Sequence, residues 1–252
     1  MKRQFTYLCR CMALVLTGLL LATAGQAVND EVHDLVPAQE EISHTLTDDA
    51  WKTLLVNPWN ALPENFQVDL VSLKNGLQVD KRIYDDLNAM LIDCRAAGLQ
   101  PIVCSAYRDY AYQNRLYQNK IARLCAAGYD QVTAQKEAGR WVAIPGTSEH
   151  QTGLALDIVS RDYQLLDEKQ ADTAEQQWFM EHSWKYGFIL RYPENKTEIT
   201  GIGYEPWHYR YVGREAAAVI YESGQCLEEY LNSIEDLKEA VLPPLLNCLI
   251  PT

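Results

Sequence analysis

Two histidines and an aspartate stand in polar, glycine-containing surroundings. In Ser148-Glu149-His150-Gln151-Thr152-Gly153-Leu154-Ala155-Leu156-Asp157-Ile158 a histidine precedes an aspartate by seven residues, and in Glu205-Pro206-Trp207-His208 a glutamate precedes a second histidine by three. Two imidazoles and one carboxylate make three protein ligands with a fourth position open for water, the pattern of a hydrolytic rather than a structural zinc site. The free carboxylate of Glu205 would supply the general base. In an unbroken strand an odd separation sends two side chains to opposite faces, so Gly153 must make a turn or bulge if His150 and Asp157 are to reach one ion. His182, between Trp178, Phe179 and Trp184, reads as a packed histidine, and His33 and His44 fall in an acidic stretch.

The elements that must hold these residues follow from periodicity. Residues 154–159 alternate as a strand, with Leu154, Leu156 and Ile158 on one face and Asp157 on the other. Residues 101–105, 188–192 and 207–212 read as three more strands, and Val68, Leu70 and Val71 as a short one. From Val79 to Ala97 the residues Ile83, Leu87, Met90, Leu91 and Cys94 recur at helical spacing, with Gly98 as C-cap. Asp109 N-caps a helix carrying Tyr117, Ile121, Leu124 and Cys125 that stops at Gly128. Further helices are expected over 131–138, 171–186 and 214–231. Helices early and strands late predict an α+β domain, a small antiparallel sheet carrying the zinc site and flanked by helices, with strand order left open.

The chain has 252 residues, 48% hydrophobic and 22% charged, a globular composition that excludes collagenous, disordered and multi-span membrane classes. Its formal charge of -12 argues against nucleic acid as a partner. Lys2, Arg3 and Arg10, the uncharged run from Met12 to Ala24, and small residues at Ala22, Ala24, Gly25 and Ala27 predict a signal peptide over 1–27 and hence export. The alternative is an uncleaved signal anchor extended by Phe5, Tyr7 and Leu8; membrane association is expected through this segment alone. Residues 28–55 read as an acidic linker, 56–231 as the zinc domain and 232–252 as a C-terminal extension. Beyond the leader stand Cys94, Cys104, Cys125, Cys226 and Cys248, an odd number with no Cys-x-x-Cys pair, which argues against a zinc ribbon or a thioredoxin-like site. A monomer is expected.

Three stretches, Ser105-Ala106-Tyr107-Arg108, residues 148–158 and residues 204–213, closely resemble the VanY-type D-alanyl-D-alanine carboxypeptidases. Asn57-Pro58-Trp59-Asn60 and Leu190-Arg191-Tyr192-Pro193 extend the resemblance over residues 56–213. It implies that His150, Asp157 and His208 bind Zn2+ and that Glu205 is the catalytic base. It also implies that Arg108 contacts substrate near the scissile carbonyl or its terminal carboxylate, where it stabilises negative charge. Ser105, Ser148 and Gln151 would be further substrate contacts, and Trp207 and Tyr209 supports for the metal strand. The implied activity is that of an exported zinc D,D-carboxypeptidase that removes the terminal D-alanine from peptidoglycan stem peptides. L,D-carboxypeptidases and stem endopeptidases share the metal motif, so the motif leaves the bond open. A non-catalytic zinc-containing wall-binding module is set against by Glu205 together with Arg108, since a binder has no use for a base beside an open zinc.

Overall fold

The computed structural model describes residues 49–236. The expected leader, the linker up to residue 48 and the extension from residue 237, with Cys248, lie outside the described residues.

Among the described residues six short strands and seven α-helices make the fold, the seventh running from residue 227. A hairpin pairs β1 (Leu70–Ser72) with β2 (Gln78–Asp80), turning through Gly76 at φ 84°. Helix α1 (Tyr84–Ala96) buries Leu87, Met90, Leu91 and Cys94, and β3 (Pro101–Ser105) follows. Helices α2 (Tyr110–Ala126) and α3 (Gln131–Gly139) begin at Asp109 and Asp130, whose carboxylates accept the first free backbone N–H groups. They pack through Ile121, Ala134 and Ala138. After β4 (Ala155–Ser160) come α4 (Ala174–His182), β5 (Phe188–Leu190), α5 (Thr197–Thr200), β6 (His208–Tyr211) and α6 (Arg214–Ser223).

Four strands form one antiparallel sheet in the order β3-β4-β6-β5. Every residue of β4 and β6 is buried because both faces of the sheet centre are covered. Leu154, Leu156 and Ile158 pack with Leu87, Met90 and Phe179 in the main core. The alternate face of β4 brings Asp157 opposite His208 of β6 and Ser105 of β3. The sheet register therefore aligns residues 51 positions apart in sequence.

Three expected elements differ. The helix predicted from Val79 begins only at Tyr84: residues 78–80 are strand, and Asp80 takes the Arg82 N–H to start a 3-10 turn at 81–83. The helix predicted over 171–186 is divided because Thr173 is extended and caps α4, with 3-10 turns on either side. The helix predicted over 214–231 stops at Gly224, φ 68°, and a new one runs from 227, its start held by Glu229 accepting from Cys226 N–H. Residues 51–55, read as linker, belong to the packed body. Trp51 stacks on Tyr211 at 5.9 Å, and Arg210 donates to the carbonyls of Lys52 and Leu54.

Candidate metal centre and active site

His150 lies in a 3-10 turn over Glu149–Thr152 that ends at Gly153, φ 71°. That left-handed residue is the turn the odd spacing required, and it swings His150 onto the Asp157 side of the sheet. His150 Nδ1 sits 2.7 Å from the Ala106 carbonyl, which leaves Nε2 facing Asp157 Oδ1 at 3.3 Å. His208 Nδ1 faces the same oxygen at 3.2 Å. One nitrogen from each histidine and one Asp157 oxygen all lie within 4.8 Å of one another. Asp157 Oδ1 is buried and accepts no hydrogen bond despite these neighbours. A buried, unpartnered carboxylate oxygen between two imidazole nitrogens is the donor set zinc takes, so the residues fit the ion.

A second layer of charge stands behind His208. Glu149 Oε2 is 3.5 Å from His208 Nε2, while Glu149 Oε1 accepts from Arg191 Nε and Arg210 Nη1, each at 2.7 Å. Arg191 also donates through both terminal nitrogens to Glu228, at 2.9 and 2.7 Å, and Asn57 donates to the same carboxylate at 3.0 Å. Carboxylates behind metal-binding histidines fix ring orientation and raise ligand basicity. Glu149 stands behind His208 in that position, its Oε2 and the ring Nε2 both buried without a hydrogen-bond partner, and it belongs to an Arg–Glu–Arg–Glu network that reaches the helix from residue 227.

The protein's own groups shift the titration of each site residue. Burial pushes the Glu205 carboxyl up to about 8, with Asp157 adding to it and His208 and Arg108 opposing. Burial lowers His150 to about 4, and Arg108 adds to that. Burial would lower His208 too, but Asp157 and Glu149 outweigh it and raise it to about 9. Asp157 is held well below the carboxylate range, its burial outweighed by His150, His208 and Arg108.

A cavity of about 530 Å³ opens onto these groups and is lined by Ser105, Arg108, Ser148 and Glu205 as well as the three metal residues. Glu205 Oε2 is 3.6 Å from His208 Nδ1. Arg108 donates to Asp157 Oδ2 at 2.7 Å, Ser105 Oγ at 2.9 Å and Gln113 Oε1 at 3.3 Å. Three of its five N–H groups are thus committed and two remain. Gln151 stands apart: its side-chain oxygen accepts the Gly146 N–H at 2.7 Å, tying down the loop before the metal turn, and it does not line the cavity. Ser105 anchors Arg108. Trp207 is buried at the cavity edge and Tyr209 in the core, donating to Gln176. His182 stacks on Trp178 at 4.9 Å, away from the site. Among the described residues Cys94, Cys104, Cys125 and Cys226 form no disulfide with one another.

Sequence reasoning did not find Glu149, Arg191, Arg210 and Glu228. The available signal was the pair of arginines inside Phe188-Ile189-Leu190-Arg191 and Trp207-His208-Tyr209-Arg210-Tyr211, since an arginine in an otherwise apolar buried strand needs an acid partner.

Residues 76–214 match the family model described as VanY, D-alanyl-D-alanine carboxypeptidase. Over 209 residues the chain is 44% identical to a D-alanyl-D-alanine carboxypeptidase of Enterococcus faecalis, covering 83% of this chain and 75% of that one. The fold is similar to that of a zinc-bound mutant of the vancomycin resistance D,D-pentapeptidase VanY, with TM-score 0.66, 46% identity, and coverage of 72% of this chain and 99% of that chain. It is similar also to VanYB in complex with D-alanine-D-alanine, with TM-score 0.67, 47% identity, and coverage of 72% and 98%.

Proposed function

The chain belongs to the VanY family of D-alanyl-D-alanine carboxypeptidases and is a zinc metallopeptidase, and on that premise we propose that it removes the terminal D-alanine from peptidoglycan stem peptides. The observation that carries the reading is the meeting of His150, Asp157 and His208 with a buried Glu205 and the Arg108 guanidinium in one cavity. His150, Asp157 and His208 would hold the ion. When bound, zinc supplies Lewis acidity toward the scissile carbonyl and lowers the pKa of water.

The chain's own residues supply the rest. Glu205, in the cavity 3.6 Å from His208, takes a proton from the attacking water and passes it to the leaving amine as the C–N bond breaks; the free D-alanine and the shortened stem together gain the elements of water. Arg108, fixed by Asp157, Ser105 and Gln113, offers its two remaining N–H groups to negative charge on the substrate. Ser148 lines the same wall and is a candidate polar contact. Export rests on the basic, then apolar, then small-residue order of residues 1–27 and places the enzyme on the side of the membrane where stem peptides are found.

The test is Glu205→Gln. Zinc content should stay near one ion per chain while turnover falls by about two to four orders of magnitude, the usual contribution of a general base. Retained turnover in the zinc-loaded variant would remove Glu205 from that role.

A further inference from the structure

One wall of the cavity that holds the metal residues carries the cations Lys120 and Arg123. Helix α2 carries Arg115, Lys120 and Arg123 and no acidic residue, in a chain of formal charge -12. Tyr112, Leu116, Asn119, Lys120 and Arg123 share the helix face that forms one wall of the cavity whose floor holds the metal residues. Lys120 Nζ lies 5.9 Å from the Trp141 ring, and Lys120, Trp141, Leu166 and Trp207 also line an adjoining space of about 460 Å³, so the cleft continues past them. Lys169, Asp167 and Glu168 lie on that farther side. Asp167 is occupied there by the Tyr163 hydroxyl and the Lys169 N–H.

The cations that hold the fold together are paired: Arg108 with Asp157, Arg191 with Glu149 and Glu228, Arg210 with Glu149, Arg214 with Asp86. Among the described residues Lys120 and Arg123 pair with no carboxylate. The position of these two residues sets what they can reach. The start of α2 is tied to the metal residues through Arg108, and at about 1.5 Å per helical residue Lys120 and Arg123 stand about 12 and 16 Å along the axis from Tyr112. An extended peptide advances about 3.4 Å per residue, so a span of about 12 to 16 Å corresponds to about four to five residues, which the reach of the two long side chains shortens to about three to four. A carboxypeptidase leaves one residue on the far side of the scissile bond, so a group several residues away belongs to the N-terminal part of the substrate.

We propose that Lys120 and Arg123 form an anion subsite for a carboxylate on a stem-peptide residue about three positions N-terminal to the scissile bond. The subsite rests on the stem-peptide reading above and adds to it a preference among stems: a free second-residue carboxylate over its amide.

Zinc-loaded wild type and K120Q/R123Q would be assayed on three peptides ending in D-Ala-D-Ala: the pentapeptide with a free carboxylate at its second residue, the same pentapeptide amidated there, and a tripeptide lacking the first two residues. Wild type should prefer the acid to the amide, and the preference should shrink as salt rises. The double variant should raise KM for the acid by about three- to thirtyfold, as two partly exposed ion pairs would, with kcat held and the acid–amide preference gone. An equal loss on the tripeptide, or a wild type indifferent to amidation, would overturn the subsite while leaving the carboxypeptidase reading intact. Hydrolysis of none of the three by wild type would overturn that reading and the subsite with it.

Discussion

Replacing Glu228 by Ala should destabilise the domain more than any surface change. Its carboxylate accepts both terminal nitrogens of Arg191, at 2.7 and 2.9 Å, and the Asn57 amide at 3.0 Å, and Arg191 is fully buried. Truncation leaves Arg191 with Glu149 alone and strands two charged donor groups in the interior. Breaking a buried pair from one side costs about 3–5 kcal/mol. At about 2–4 °C per kcal/mol for a domain of this size, Tm should fall by roughly 6–20 °C. The effect should also depend on acid. Burial would raise the Glu228 carboxyl, but Arg191 outweighs it and holds it below its ordinary value of 4.5. A depressed folded pKa contributes stability that is present above the unfolded pKa and lost as pH falls through the folded one. The Tm gap between wild type and Glu228→Gln should therefore be full at neutral pH and close as the pH drops below 4.5. Thermal unfolding followed by circular dichroism from pH 7 to pH 3 measures both effects. A neutral-pH Tm within 2 °C of wild type for Glu228→Ala, or a gap that acid leaves alone, would refute the view that this pair anchors the last helix to the site.

Two further outcomes follow from the same geometry. Glu149→Gln removes the charge behind His208 and between Arg191 and Arg210, and zinc affinity measured by competition with a chelating dye should weaken by about 10–100-fold; an unchanged affinity would mean that Glu149 does not orient the imidazole. Gly153→Ala puts a Cβ 2.7 Å from the Asp80 backbone nitrogen at φ +71°, a conformation that costs an L-residue about 1–2 kcal/mol before the clash is counted. Its Tm should drop by at least about 3 °C and its zinc affinity should fall, whereas wild-type values for both would show the turn to be dispensable.

The metal residues were legible because their chemistry is local to short motifs: His150 and Asp157 share one stretch, and the odd spacing between them already demanded a turn or bulge at Gly153, which the structure makes with a left-handed residue. The helix around Leu87, Met90 and Cys94 was legible from its apolar period. Its first turn was not, because Val79 fits the helical pattern and a three-residue strand alike, and only pairing with Leu70–Ser72 decides between them. The break at Gly224 was missed for a similar reason: the apolar period continues through it, while Glu228 is turned inward by a partner 37 residues away. Glu149 gives no local signal, since its role depends on Arg191 and Arg210, which reach it from distant parts of the chain. Lys120 and Arg123 lie on a helix whose sequence does not say which face meets the cavity; only the fold puts them in its wall.

Free D-alanine released from a muramyl pentapeptide stem by the zinc-loaded protein, measured with and without chelator beside a tetrapeptide stem, decides the assignment. A D,D-carboxypeptidase releases it from the pentapeptide, loses the activity to chelator, regains it with zinc, and releases none from the tetrapeptide. Release from the tetrapeptide would move the specificity to L,D cleavage, and a zinc-loaded protein that releases D-alanine from neither stem would be no carboxypeptidase of either kind.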